Sequence, residues 1–238
     1  MKPYIFTVCD TGFYDRFAIP LRNSAEAHGN HLEIFKKDFL AETQEQKSSF
    51  LTWRLILMPE LIEKYDRVLL LDADSIIRQP ILANSKWQIG LFLREERPDI
   101  ARKVFASAVY GTRASLPFFK KLAAKAEKSK WAWFADQAMI WKQYVIEKDH
   151  YRIKVFNKDF IDWTCGPDAK IWTGKGDRKN SKAEFVEAVE YWKVPHSLPK
   201  AQKVKVEPGK DAQNDMRGSA GDLSLGGRAW RPFHDVQG

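Results

Sequence analysis

The pattern of apolar and polar residues at the start of the chain predicts a strand, a helix and a second strand. The aromatic and β-branched run Tyr4–Cys9 is typical of a buried strand, and a turn-forming sequence begins at Asp10. A helix follows over about residues 13–28, with Pro20 in an early turn or between two pieces. Leu32–Phe35 predicts a second short strand. Such a unit is the usual opening of a nucleotide-binding α/β sheet.

The middle of the chain continues this alternation of helix and strand. Apolar residues recur at three- and four-residue spacing from Ser48 to Tyr65, which predicts a helix that Pro59 divides into two pieces. The apolar run Val68–Leu71 is too short for a buried helix and predicts a fully buried strand. Further strands are predicted over residues 88–93, 105–110 and 151–156, and further helices capped by Ser115 and by Asp136.

Two acids, Asp72 and Asp74, follow the buried strand with one alanine between them. Burying two unpaired carboxylates costs on the order of several kcal/mol, so they require a cation or the open end of a sheet. Ligands of open α/β sheets bind outside the carboxyl ends of the strands, where these acids are expected. Mg²⁺ and Mn²⁺ take carboxylate oxygens and keep open positions for phosphate, so the pair predicts a metal site. The open alternative is one acid that caps a turn and one that is solvated.

A glycine-rich basic loop late in the chain is the second unusual stretch. An apolar segment that ends at Trp172-Thr173 leads into Gly174-Lys175-Gly176, and Lys179 follows. Ser181 and Glu184 then predict a capping box for a further helix. Glycine lets a backbone approach a phosphate, while lysines and a helix end attract its charge, so the loop predicts a pyrophosphate site. A solvated basic turn remains the alternative.

The composition adds charge to this picture. The 238 residues carry a net charge of +8, which favours anionic partners such as nucleotides, phosphorylated glycans or an anionic membrane surface. The charge is spread along the chain, so no dedicated nucleic-acid-binding arm is indicated. The two cysteines suggest neither a disulfide framework nor a metal cluster, and no apolar run approaches the ~18 residues of a membrane span. A cytoplasmic protein is expected, with peripheral membrane contact left open.

The composition changes near the end of the chain. Residues 200–221 are rich in Lys, Gly, Asp and Gln and have little to bury, so burial cannot offset the entropy of ordering them. We therefore predict one globular domain over residues 1–198 and a flexible, basic and glycine-rich tail over residues 199–238.

The order of these motifs resembles that of a known enzyme family. The segment from Arg54 through Asp72-Ala73-Asp74 is similar to the donor-binding segment of A-type nucleotide-sugar glycosyltransferases, above all the glycogenin and lipopolysaccharide galactosyltransferase group (family 8). Asp136-Gln137 is similar to the family's Asp-Gln motif near the reacting sugar. Gly176 and Lys179 keep a late Gly-x-x-Lys. Thr173, however, stands where the family has a histidine, and Phe105-Ala-Ser-Ala-Val stands where it more often has Asn and Gly.

The resemblance implies a Rossmann-like mixed α/β sheet flanked by helices. It further implies metal-dependent transfer of a sugar from a nucleoside-diphosphate sugar, with UDP the expected nucleotide, to a glycan or glycolipid. Asp72 and Asp74 would hold Mn²⁺ or Mg²⁺, and Asp136 and Gln137 would be catalytic. The residues implied in donor binding are Thr7, Cys9, Asp10, Arg54, Asp72, Ala73, Trp172, Lys175, Gly176 and Lys179. A third metal ligand is left open among Trp172, Thr173, a water and His196.

Three other readings compete with this one. Phosphatases of the haloacid dehalogenase type also place Asp-x-Asp after an apolar strand, with the first acid as nucleophile. Their motif usually lies near the N-terminus and continues with Gly-Thr, whereas Asp74 is followed by Ser75. Nucleotidyltransferases usually have a glycine-rich basic loop after the first strand, which the turn at Asp10 does not supply. A relative that binds nucleotide or glycan without turnover is the non-enzymatic alternative.

Overall fold

Strands and helices alternate through residues 1–38, 44–128 and 134–197, the part of the chain that the computed structural model describes. The strands are β1 (Tyr4–Cys9), β2 (Leu32–Lys36), β3 (Arg67–Leu71), β4 (Ser75–Ile77), β5 (Ile89–Leu93), β6 (Val104–Thr112), β7 (Ile153–Phe156), β8 (Ile161–Asp162) and β9 (Ile171–Thr173). The α-helices are α1 (Thr11–Phe13), α2 (Ile19–Ala27), α3 (Gln44–Tyr65), α4 (Leu116–Lys128), α5 (Ala135–Glu147), α6 (Arg178–Ser181) and α7 (Ala183–Tyr191). A π-helical turn (Tyr14–Ala18) joins α1 to α2, and 3₁₀ turns cover Ile100–Arg102, Arg113–Ser115 and Lys148–His150.

The main sheet has six strands in the order β2-β1-β3-β6-β5-β7. β1 is parallel to both β2 and β3, and β5 is parallel to β7. β6 runs antiparallel to its neighbours β3 and β5. A small second sheet has the order β4-β9-β8. The prediction of a mixed α/β sheet flanked by helices is confirmed.

Both faces of the main sheet are buried, which explains its unbroken apolar strands. Side chains of successive strand residues point to opposite faces. In β3, Val68 and Leu70 join the core cluster formed with α3, α4 and α5, while Leu69 and Leu71 join a second cluster on the α2 side. A strand covered on both faces needs apolar residues at every position, as Val68–Leu71 has.

The pairing of β5 with β6 contains an irregularity that shapes one end of the sheet. Leu91 lies opposite Val109, yet the next residue, Phe92, lies opposite Phe105. Residues 106–108 of β6 therefore face no residue of β5. Such bulges bend a strand and redirect its side chains, often at the rim of a functional site.

Helix α3 is continuous, so the prediction that Pro59 divides it is wrong. A proline inside a helix removes one backbone hydrogen bond, at a cost of ~3 kcal/mol. The buried side chains Leu55, Met58 and Ile62 of α3 pack into the main core, and burial of such side chains gives about 1.5–3 kcal/mol each. Packing over these turns outweighs the local preference for a break.

Two predicted helix caps also differ in the structure. Lys182, not Ser181, precedes α7, and no side chain caps that helix. The Ser181 hydroxyl instead donates to the carbonyl of Asp177, and Glu184 pairs with Lys182 at 3.0 Å. Ser115 closes the 3₁₀ turn before α4, where its hydroxyl accepts a hydrogen bond from the Thr112 amide.

None of the helices within the described residues is both long enough and apolar enough to cross a membrane. The predicted tail, residues 199–238, lies outside the described residues, so its flexibility remains a prediction.

Candidate active site

A cavity of about 690 Å³ lies at the edge of the main sheet where β1 and β3 end and β6 begins. This edge holds the carboxyl ends of the parallel strands, as expected for a ligand site of an α/β fold. Most of the residues predicted to form the site line the cavity: Cys9, Asp10, Arg54, Asp72, Ala73, Asp74, Asp136, Gln137, Lys175, Gly176 and Lys179.

Three residues singled out in the sequence do not line this cavity. Thr7 lies in the middle of β1 and is fully buried. Trp172 packs in the cluster around α7 and donates from its indole nitrogen to the carbonyl of Gly166. His196 stacks on Tyr191, with ring centroids 3.9 Å apart. The structure therefore does not bring Thr7, Trp172 or His196 to the candidate site.

Arg54 of α3 links two of the acids at the site. One guanidinium nitrogen donates to Asp72 and the other donates to Asp136. The Arg54 side chain is only 5% exposed. Burial alone would lower the pKa of Arg54, but Asp72 and Asp136 more than reverse this and raise its pKa above the usual value. A buried guanidinium that serves two carboxylates fixes both acids at the cavity wall.

Ser107, in the irregular part of β6, holds the second oxygen of Asp72. Its hydroxyl donates to that carboxylate, and its carbonyl accepts from the Asp72 amide at 3.0 Å. Ser107 was not predicted to have a role, because it stands in the stretch that departs from the resembled family. The position of the residue depends on the irregular pairing of β5 with β6, which has no local sequence signal.

Asp74 lies deeper and pairs with Lys179. The Lys179 ammonium lies 3.0 Å from an Asp74 carboxylate oxygen, and the Asp74 side chain is 12% exposed. Burial, and then the nearby charge of Asp72, raise the pKa of Asp74 to about 6, although Lys179 opposes the shift. When the pKa of a carboxyl group is raised in this way, a further cation placed beside it stabilises the ionised form.

Two glycines shape the loop that carries Lys179. A Cβ atom on Gly174 would lie 2.5 Å from Cβ of Lys179 and 2.7 Å from the Phe185 ring. The Gly174 amide also donates to the Asp74 carbonyl at 2.7 Å, which ties the loop to the acid-bearing segment. Gly176 has a φ of +59°, a conformation that side chains with a Cβ seldom adopt. Gly174 thus lets the loop pass close to Lys179 and Phe185, while the predicted approach of the loop to a phosphate stays a prediction.

Lys175 lies in an aromatic and cationic environment. Its ammonium is 4.7 Å from the ring centres of both Phe105 and Trp163. Burial, and then the charges of Arg94, Arg97, Arg178 and Arg102, lower the pKa of Lys175 to about 8. An anion bound beside Lys175 would therefore stabilise the charged form of the lysine.

Asp136 and Gln137 open α5 at the cavity. Asp136 is not the helix cap predicted from the sequence. The cap position belongs to Phe134, which has a left-handed φ of +65°, and Asp136 lies in the first turn with its carboxylate turned to Arg54. The side-chain oxygen of Gln137 accepts from Arg94 at 3.3 Å. Pairing with a buried cation outweighs the local capping preference of Asp136.

The end of β1 forms another part of the wall. The thiol of Cys9 is almost fully buried, and burial followed by the charge of Asp10 raises its pKa to about 11. The thiol is thus a small apolar group. Asp10 accepts from the Phe13 amide at 2.8 Å and caps α1.

Asp72 and Asp74 are the residues best placed to hold a metal ion. Within the described residues, no group of three or more His, Cys, Asp or Glu side chains is arranged to bind one. Thr173 lines the cavity at the position of the resembled family's histidine, and its buried hydroxyl has no hydrogen-bond partner there. The donor set is thus two carboxylates, which suits a hard ion that keeps waters or phosphate oxygens as its other ligands.

Comparison with known proteins bears on the fold. No family model matches the sequence, and no curated protein matches it. A glycosyltransferase involved in the glycosylation of the major capsid of PBCV-1 aligns over 79% of this chain and 100% of its own, with a TM-score of 0.54 and 15% identity. This chain has the A-type glycosyltransferase fold.

Two further solved structures share this A-type fold at low identity. The bifunctional glycosyltransferase WbbM aligns over 79% of this chain and 49% of its own, with a TM-score of 0.52 and 11% identity. The glycosyltransferase GlyE of Streptococcus pneumoniae TIGR4 aligns over 79% of this chain and 60% of its own, with a TM-score of 0.54 and 14% identity. The chain thus spans all of the PBCV-1 protein but only about half to three fifths of the other two.

Within this A-type fold, several cavity residues were missed by the sequence reasoning. They are Phe13, Arg94, Arg97, Arg102, Phe105, Ser107 and Phe134, together with apolar backbone positions of β1 and β6. The charged segment from Arg94 to Lys103 was the one available signal, since it places three arginines between two strands.

Proposed function

We propose that this protein is a glycosyltransferase that moves a sugar from a nucleoside-diphosphate sugar to a glycan or glycolipid acceptor. One arrangement supports the proposal above all. Asp72 and Asp74 follow the carboxyl end of β3, Lys179 pairs with Asp74, and Arg54 joins Asp72 to Asp136 around one cavity. Such a site combines acids for a metal, a cation for phosphate and polar groups for a sugar.

The donor is proposed to lie along the edge of the sheet from β1 to β9. Its nucleoside would occupy the wall formed by Cys9 and Asp10, and its diphosphate would lie near Lys175 and Lys179. Lys175 reaches the cavity from the loop after β9, and Lys179 reaches it from α6, which follows that loop. Their positive charge would stabilise the negative charge that builds on the leaving nucleotide. UDP is the proposed nucleotide because of the resemblance in sequence.

Asp72 and Asp74 are the proposed ligands of Mn²⁺ or Mg²⁺. The donor set fits such an ion, and the raised pKa of Asp74 indicates a carboxylate that lacks sufficient positive charge nearby. A divalent ion bound there would help to neutralise the diphosphate during the reaction. The protein itself would contribute the two carboxylates and keep Asp72 oriented through Arg54 and Ser107.

Asp136 and Gln137 are the proposed contacts to the transferred sugar. Asp136 has one oxygen on Arg54, and its other oxygen is buried without a hydrogen-bond partner in the described residues. An unpaired buried carboxylate oxygen suits a sugar hydroxyl as donor. Gln137 beside it would face the reacting carbon. Retention of configuration is proposed from the resembled group.

Binding of nucleotides tests the proposal directly. The thermal stability of the protein is measured with UDP, GDP, ADP and CDP, each with and without Mn²⁺. A ligand at a hundredfold excess over its Kd stabilises the folded state by about 2.7 kcal/mol. We expect a Mn²⁺-dependent rise in Tm with UDP that Asp72→Asn abolishes, while the exposed control Asp149→Asn keeps it.

Turnover separates the remaining alternatives. Release of UDP from a UDP-sugar, lost in Asp136→Asn, is expected of the transferase. Hydrolysis of a simple phosphate ester without any nucleotide effect would instead support the phosphatase. Nucleotide binding without sugar release would indicate a relative that binds but does not turn over. The solved structures described above are all glycosyltransferases, which favours the first outcome.

A further inference from the structure

Three arginines line the cavity on the side of β5, away from the aspartates of β3. Arg94 directly follows β5, Arg97 lies in the next turn, and Arg102 ends the 3₁₀ turn before β6. We call these three residues the arginine cluster. The donor proposed above leaves it unused, since Lys175, Lys179 and the ion held by Asp72 and Asp74 are assigned to the diphosphate.

Arg94 is buried without an acidic partner. The residue is 7% exposed, and its guanidinium donates to the carbonyl of Val104 at 3.0 Å and to Gln137 at 3.3 Å. Its Nε has no hydrogen-bond partner, and no carboxylate of the described residues lies within 4.0 Å of Arg94. Arg54, by contrast, is buried between two carboxylates. A buried cation without a counter-charge is costly unless a ligand supplies one.

Arg97 and Arg102 are only loosely paired and can turn to a ligand. Arg97 lies 3.7 Å from Glu96, and Arg102 lies 3.5 Å from Asp99. All four side chains in these pairs are more than half exposed, and such surface pairs contribute little to stability. Exchange of these partners for a ligand therefore costs little.

Aromatic rings hold the cluster in place. Arg94 lies 5.5 Å from the ring centre of Phe105, and Arg102 lies 5.8 Å from that of Phe134. Guanidinium groups that rest on aromatic faces keep their planar donors directed outward. The left-handed backbone of Phe134 is an uncommon conformation for an aromatic residue, and such conformations cluster at functional sites.

We propose that the arginine cluster binds an oxyanion, a phosphate or a carboxylate, carried by the acceptor sugar. This inference rests on the proposed function and names the class of its acceptor. Arg94 touches Gln137, which is proposed to face the reacting carbon. An anionic group held by Arg94, Arg97 and Arg102 would therefore place a neighbouring acceptor hydroxyl beside the transferred sugar. Guanidinium groups bind both oxyanions through paired hydrogen bonds.

The test measures binding of small sugars to the full-length protein with UDP and Mn²⁺ at saturation. The probes are a neutral hexose, the hexose 6-phosphate and the corresponding hexuronate. The variant is Arg97→Gln/Arg102→Gln, which leaves the buried Arg94 and its contact to Gln137 intact. The control is Arg113→Gln. Arg113 is also more than half exposed and lies 3.7 Å from one acid, Asp66, but it donates to the Glu63 carbonyl at 2.6 Å and follows the opposite end of β6.

We expect the wild type and the control to bind the hexose 6-phosphate or the hexuronate at least tenfold more tightly than the neutral hexose. Which of the two binds more tightly identifies the oxyanion. In the double variant the Kd of that anionic sugar should rise at least tenfold, since one charge-assisted hydrogen bond is worth about 1.5–3 kcal/mol. In turnover the same rise should appear in KM for the anionic acceptor.

Other outcomes overturn the inference in distinguishable ways. Equal affinity for neutral and anionic sugars, or an equal loss in Arg113→Gln, contradicts the arginine cluster while the transferase stands. If a UDP-hexuronate bound more tightly than a UDP-hexose, and if this difference depended on Arg97 and Arg102, the anionic group bound by the arginine cluster would belong to the donor sugar and not to the acceptor. Failure of UDP to bind at all overturns the proposed function and this inference together.

Discussion

Arg54 is the residue on which the geometry of the candidate site depends. It stands on α3, yet its two partners stand on the loop after β3 and on α5, so one side chain joins three elements. Asp136 is 1% exposed and Asp72 is 30% exposed at the side chain. The charge of Arg54 therefore matters more to Asp136, whose charge water screens less, than to Asp72.

Replacement of Arg54 by methionine should destabilise the fold strongly. Arg54→Met removes the counter-charge of a buried acid, and such losses cost about 3–5 kcal/mol. Unfolding in urea measures the free energy directly. The added change Asp136→Asn should recover part of the loss, because it removes the charge left behind. If the double variant were no more stable than Arg54→Met, the loss in free energy of unfolding would come from packing and not from the unpaired charge.

Lys175 should make nucleotide affinity depend on pH. Its pKa is lowered to about 8 in the ligand-free protein, and a bound diphosphate raises it by adding negative charge. Affinity should therefore be full below pH 8 and weaken as the pH rises above 8. The Kd of UDP between pH 7 and pH 9 measures this. In Lys175→Arg the side chain stays positively charged throughout this range, so the fall in UDP affinity above pH 8 should vanish. An identical pH profile in both proteins would show that another group causes the fall.

At the scale of elements, the loop between β9 and α6 shows how backbone freedom places a charge. Gly174 lets the loop pass against Lys179 and the Phe185 ring. Gly176 has open space around it, so a glycine is favoured there only because of the positive φ. The sequence predicted that these glycines let the backbone approach a phosphate, which stays a prediction. It could not show that Gly174 is needed for close packing and Gly176 for its positive φ.

Gly174→Ala should impair the site more than a change at Gly176. The new Cβ would lie 2.5 Å from Lys179 Cβ, so α6 must move and the pairing of Lys179 with Asp74 must weaken. We expect a loss of about tenfold in UDP affinity, as for one charge-assisted hydrogen bond. Gly176→Asn serves as the comparison because asparagine tolerates a positive φ. Equal losses in the two variants, measured by titration with UDP, would show that loop flexibility matters rather than the contact.

The sequence predicted elements well where burial leaves a strong local pattern. Val68–Leu71 and Tyr4–Cys9 are strands because both faces of the sheet are covered. The predicted break of α3 at Pro59 was wrong, because the helix is stabilised by packing against residues far along the chain. The strands β4, β8 and β9 have only two or three residues each and were not predicted, because so short a segment carries no period.

At the scale of the whole molecule, the sequence predicted the site more fully than the contacts within it. Asp72 and Asp74 were singled out because two acids after an apolar strand are conspicuous. Arg54 and Asp136 were also predicted at the site, but their ion pair was not, because they lie 82 residues apart and meet only in the folded chain. Ser107 reaches Asp72 only because antiparallel β6 lies beside β3 with irregular pairing to β5.

The strand order β2-β1-β3-β6-β5-β7 also places the two proposed binding functions on different parts of the chain. The proposed donor-binding groups come from the first 74 residues and from the segment after β9, while the arginine cluster comes from the short link between β5 and β6. On our proposals, a lineage can exchange that link and acquire a new acceptor without rebuilding its donor chemistry. A combinatorial library confined to the exposed residues 95–100 and 102 would explore acceptor choice at little risk to folding.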